Sequence, residues 1–194
     1  MNSQFEIKTL AQAIPAYDWC AARTAQVVDK ITPDIADWSP PTPDGSYHFR
    51  LKDIVAHIGD SYFLGRGRLD GVFSFEKFFL RPPENFVGQH VTWTPVLDFT
   101  LNEAKAHLQE ARDVWAEVMA RPFETAHVPS DGALRQFEEM KKLVGEGKMP
   151  ERFLSFGAAN ALHATASLMA HETGHRGTLI TLLRLHHGVS FAED

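Results

Sequence analysis

The stretch Leu162–Gly188, LHATASLMAHETGHRGTLITLLRLHHG, sets the reading of the whole chain. It carries His171 and His175 four residues apart in a segment that otherwise reads as helix. At 100° per residue the two lie about 40° apart around a helix axis and about 6 Å apart along it. Both imidazoles can then point at one place, as two ligands of a single metal ion must. Ala164, Leu168, His171, His175, Leu179 and Leu182 continue the same face as a small or apolar stripe, which predicts histidines that look into the protein. Unpaired imidazoles are costly on such a face, so metal binding is favoured over a hydrogen-bonded core pair. Gly174 and Gly177 each weaken a helix by about 1 kcal/mol relative to Ala, and they predict a close approach of backbone or partner.

The rest of the composition bounds the class. With 194 residues, 44% hydrophobic and 23% charged, the chain suits one globular domain over 1–194 with long connections. A net charge of -6 and no Lys/Arg cluster argue against nucleic acid or an anionic membrane surface as partner. The single cysteine, Cys20, permits no intrachain disulfide and fits a reducing, cytoplasmic setting; it reads as a half-buried helical thiol. The opening residues MNSQFEIKTL lack the basic and apolar blocks of a signal peptide. The uncharged run Phe153–His171 contains Asn160 and His163 and is followed at once by Glu172 and Arg176, so it reads as buried helix rather than membrane span.

Upstream, Leu10, Ile14, Tyr17, Ala21, Thr24, Val28 and Ile31 share one face of a helix that starts or bends near Pro15. Asp37–Ser46, with three prolines and a DG turn signal, breaks it. A second helix over about Phe49–Gly65 buries Leu51, Ile54, Val55, Ile58 and Tyr62, and by spacing alone His57 is an ordinary, partly exposed side chain. Arg66–Thr94 shows no helical period; its Phe73, Phe75, Phe78 and Phe79 suit a short strand or a loop packed across the helices, and His90 reads as surface. Thr94 and Pro95 form an N-cap and N1 pair opening a third helix to about Met119, with Leu97, Leu101, Ala104, Leu108, Ala111, Trp115 and Val118 inward and His107 on the polar side. Asp131–Gly147 reads as a short amphipathic helix with Leu134, Phe137, Met140 or Lys141, and Val144 inward and a solvated FEEMKKLV face. The last helix starts within Pro150–Ala161 and ends at Gly188. The expected fold is an all-α bundle of four main helices with an aromatic loop and a short extra helix inserted.

His171, Glu172 and His175 also spell H-E-x-x-H, which in zinc proteases supplies two ligands and a general base. Thr178 and Thr181 stand where the metzincin extension needs a glycine and a third histidine, and only 19 residues follow His175. Arg176, four residues after Glu172, offers it a helix ion pair. A zinc hydrolase using Glu172 is therefore the weaker alternative.

Two places, FRLKDIVAHIGDSY over Phe49–Tyr62 and HETGHRGTLITLLRL over His171–Leu185, resemble the DinB/YfiT-like superfamily. The second is very like that family's last helix with its His-x-x-x-His-Arg-Gly run, and the proline-rich link with Trp38 also suits it. The resemblance implies a four-helix bundle with up-up-down-down connections, often a homodimer. It adds His57 to His171 and His175 as the third ligand of a divalent metal, zinc or nickel, with an open position for water or a low-molecular-weight thiol. It also implies a small-molecule substrate and a metal-dependent enzyme, with thiol S-transferases among the characterised relatives. A non-catalytic dimeric metal-binding bundle is the other reading. The segments Gly71–Phe79 and Arg121–Pro150 depart from the family pattern, so substrate class does not carry over. His163, two turns before His171, reads as a satisfied buried histidine or a contact behind the ligands. His186 and His187 suit a helix C-terminus.

Overall fold

The computed structural model describes residues 6–41, 49–72, 76–81, 93–154 and 157–187. The expected DG turn, Phe73, Phe75, His90 and Gly188 lie outside them. The described chain is mostly helical: α1 (Leu10–Ala13), α2 (Ala16–Val28), α3 (Leu51–Asp70), α4 (Leu101–Met119), α5 (Asp131–Gly145) and α6 (Ala161–His187), with a two-stranded antiparallel ribbon of β1 (Leu80–Arg81) and β2 (Thr94–Pro95). The all-α expectation therefore holds. No helix among the described residues is long and apolar enough to cross a membrane.

Pro15 separates α1 from α2, because it has no N–H to donate and its ring blocks the preceding turn. α3 is the hub: it packs against α4, α6, α5 and β1, while α2 packs on α6. Its first ten residues, Leu51–Asp60, are all buried, so the helix starts inside the protein. Helix interiors bury polar groups only with partners. Asp53 takes a two-pronged bond from Arg50 (2.9 and 3.0 Å), and Lys52 reaches Asp37 (2.7 Å) and Asp98 (3.2 Å).

Several elements depart from the sequence expectation. α3 runs five residues beyond Gly65 and ends at Gly71, whose φ of +70° suits glycine as a helix stop. Gly71 also meets α5 closely: a Cβ there would lie 2.4 Å from the Gly132 backbone. Thr94 and Pro95 do not open α4. They form β2, and α4 instead starts after Thr100, whose hydroxyl and the Glu103 carboxylate close a capping box. Leu97 consequently lies outside the helix and is 76% exposed, whereas Leu101, Ala104, Leu108, Ala111, Trp115 and Val118 are buried as expected. In α5, Leu134 faces solvent; Gly132 and Ala133 make the buried contact, and the FEEMKKLV charges are exposed. Phe78 and Leu80 are buried and Phe79 stacks on His107 at 4.2 Å, so this end of the aromatic segment packs onto the helices.

His107 is buried rather than on the polar surface. Its Nε2 lies 2.8 Å from Asp60 Oδ1, and the two Asp60 oxygens also accept the Phe79 and Leu80 backbone N–H groups at 3.0 Å. Gly59 makes room for it, since a Cβ would stand 2.7 Å from the His107 ring. One carboxylate thus ties α3, α4 and β1 together.

Candidate metal centre

α3 contributes His57, and α6 contributes His171 and His175 one helical turn apart. The three ring centroids lie 4.4–5.2 Å from one another. Each residue offers one ligand atom, and these atoms all lie within 4.8 Å of one another, close enough for one ion to reach all three. His57 is buried, contrary to its local sequence reading, with Phe49 and Trp93 beside its ring at 5.5 and 5.1 Å. His175 is half-buried and His171 is exposed, so the cluster opens to solvent on the α6 side rather than sitting wholly in the core.

The electrostatics keep the imidazoles uncharged. Burial, then the neighbouring His175 and His171, pushes the His57 pKa from 6.5 down to about 3. Burial, then His171, takes His175 down to about 4. Burial also lowers His171, against the opposing pull of the Glu172 charge. Neutral imidazole is the form that ligates a metal. His57 Nδ1 is buried without a hydrogen-bond partner among the described residues, an arrangement that costs free energy unless something else engages the ring. Ser61 donates to the His57 carbonyl at 2.8 Å, which leaves its oxygen to accept from His171 Nε2 at 2.9 Å. In that arrangement His171 carries its proton on Nε2 and its lone pair on Nδ1. Three neutral nitrogen donors, one of them otherwise unsatisfied, fit a divalent metal ion.

Glu172 has a different partner from the one its spacing suggests. It is 1% exposed; Arg112 of α4 donates to Oε1 at 2.7 Å and the Tyr62 hydroxyl to Oε2 at 2.5 Å. Burial and the Glu172 charge raise the Tyr62 pKa far above its usual range, and burial raises Tyr17, edge-on to Tyr62, to about 12. Arg176 instead donates to the Cys20 carbonyl at 3.1 Å and lies over the Trp19 ring. Cys20 is buried, more deeply than expected, with its sulfur 3.4 Å from the Thr173 hydroxyl. The Glu172–Arg112–Tyr62 knot spans three helices, and nothing local in the sequence announced it. With both oxygens committed, Glu172 is not poised as a general base.

Two further expectations change. A Cβ on Gly174 or Gly177 would meet nothing within 4 Å, so no close packing requires these glycines here. His163 is exposed, not a satisfied core histidine. His186 packs edge-on against Trp38 at 4.7 Å.

No family model, curated protein or solved structure matches the chain.

Proposed function

We propose that the protein is a metal-dependent enzyme of the DinB/YfiT type in which His57, His171 and His175 hold one divalent ion. The observation that carries this is the convergence of three neutral imidazoles from α3 and α6, with their ligand atoms within 4.8 Å of one another. When bound, the ion supplies Lewis acidity and lowers the pKa of a water or thiol in a position the protein leaves open. Phe49 and Trp93 shield the His57 side from water, and Ser61 orients the His171 ring. Exposure of His171 leaves a path for a small-molecule substrate from the α6 side. Thiol transfer suits this reading better than peptide hydrolysis, because Glu172 is tied to Arg112 and Tyr62. The packing of α3 on α4 and α6, and of α2 on α6, supports a four-helix bundle as the architecture; one domain and a homodimer are what the family resemblance adds to this reading.

The test is metal content of untagged protein by elemental analysis. About one zinc or nickel per chain is expected, falling at least tenfold in His57→Leu and His171→Ala. A chain that never holds a stoichiometric divalent ion sinks the reading.

A further inference from the structure

Beside the metal centre, a cavity of about 480 Å³ opens between α3, α5 and α6. This is the size range of small-ligand pockets. One wall is the α3 face Ser61, Leu64, Gly65 and Arg68; Phe137 and Met140 of α5 and Leu168 of α6 supply much of the apolar lining. Gly65 lets α3 pack closely on its neighbours at this wall, since a Cβ there would come within 3.0 Å of Leu168 and 3.2 Å of Trp115. The cavity reaches Ser61 and His171, so its end is the open side of the histidine cluster.

Its charge is one-sided. Arg68 lines it, and among the described residues no carboxylate does. Three neighbouring arginines are paired: Arg66 with Asp70 and Glu117, Arg121 with Asp70, and Arg112 with Glu172. Arg68 has no hydrogen bond or ion pair among the described residues. Burial lowers its pKa with no neighbouring carboxylate to offset the loss of water, yet a guanidinium remains charged at any physiological pH. An apolar cavity holding one charged, uncommitted fork is complementary to one carboxylate on an apolar body. Among the described residues Arg68 is the one Lys or Arg that lines the cavity, and a single guanidinium matches a monoanion better than a phosphate dianion.

We propose that the α3–α5–α6 cavity binds a small apolar monocarboxylate, its carboxylate on Arg68 and its far end at His171. The length follows from α3: Ser61 and Arg68 are seven residues apart, about 10 Å at 1.5 Å per residue. An extended carbon chain zigzags and advances about 1.25 Å per 1.5 Å bond, so a body of roughly eight bonds matches that scale. Placing the reacting end at the ion rests on the metal reading above, but recognition of the carboxylate does not.

Octanoate and its neutral counterpart octanamide are the probes, titrated calorimetrically into chelator-treated and metal-loaded protein. Octanoate is expected to bind at least tenfold more tightly than octanamide, and Arg68→Met to remove that preference while Arg68→Lys keeps part of it. Met140→Trp, which fills the cavity without touching the charge, is expected to weaken both probes. Unfolding curves for each variant establish that it is folded. Equal binding of the two probes, or an octanoate preference that survives in Arg68→Met, overturns the proposal. Inorganic phosphate competing with octanoate as well as acetate does would also overturn it, since the site would then read charge alone. An Arg68-dependent preference in a protein that takes up no stoichiometric divalent ion on loading supports the carboxylate site and removes the metal reading instead.

Discussion

Three residues apart on α3, two carriers of side-chain chemistry meet histidines in opposite ways. Asp60 receives His107 in a buried pair whose remaining acceptor capacity is taken by two backbone N–H groups. His57 meets His171 and His175, with no carboxylate in the cluster and its own Nδ1 unsatisfied. Both places are buried on the same helix. The first is complete as folded and holds α4 and β1 in place. The second is left open among the described residues, and its three imidazoles stand close enough together to hold one metal ion. Sorting histidines by whether their polar atoms are already satisfied separates a structural pair from a candidate metal site, although both residue sets look alike in sequence.

The sharpest way to test that contrast is to damage the complete site. Asp60→Ala strands the buried His107 and two backbone N–H groups, and we expect a loss of about 3–5 kcal/mol in urea unfolding. Metal stoichiometry of whatever protein remains folded should persist; losing metal first, with stability intact, would collapse the distinction. Next in size is Glu172→Gln, which leaves the partly buried Arg112 without its counter-charge and should cost about 2 kcal/mol while metal stays bound. Loss of metal with unchanged stability would instead return Glu172 to a role at the ion.

A smaller effect comes from pH. In metal-free protein the cluster histidines are neutral when folded and titrate near 6.5 when unfolded. Below pH 6.5 the unfolded chain takes up protons that the folded one refuses, so stability must fall as pH drops from about 6.5 toward 4. The slope of unfolding midpoint against pH should be shallower in His57→Leu; identical slopes would mean that the cluster is not buried in solution. The smallest change is Gly174→Ala on the open side of α6. With no neighbour within 4 Å of its Cβ position, it should gain about 0.5–1 kcal/mol. A destabilised variant would reveal a packing partner at this face.

Much of this was legible locally. The Leu101–Val118 stripe gave α4 its buried face, and Pro15 marks a real break. Thr94 and Pro95 satisfied the chemistry of a helix start, but Thr100 and Glu103 satisfied more of it, with two reciprocal bonds, and that pair caps the helix. The Glu172–Arg176 spacing was equally sound as an isolated-helix rule. It lost to Arg112, sixty residues away, because a buried carboxylate gains more from a partner that shares its burial. His57 could not be told from a surface histidine by period, since α3 is buried on every side over its first half and burial there has no period. Only the resemblance of the two motifs joined it to His171 and His175, and the geometry brings the three together. Arg68 and its cavity had no local signal, because three helices distant in sequence form its walls.

The bonds from Arg112 and Tyr62 to Glu172 have one more consequence. They act on the residue next to His171, and they come from two different helices, so they fix α6 in rotation about its own axis as well as in position. At a side-chain radius of about 5–6 Å, a 10° roll of α6 would carry each imidazole sideways by roughly 1 Å. That is twice the tolerance of about 0.5 Å within which a ligand constellation works. An arginine on α4 that touches none of the three histidines therefore works as the angular stop of the site, setting the bearing at which His171 and His175 face His57.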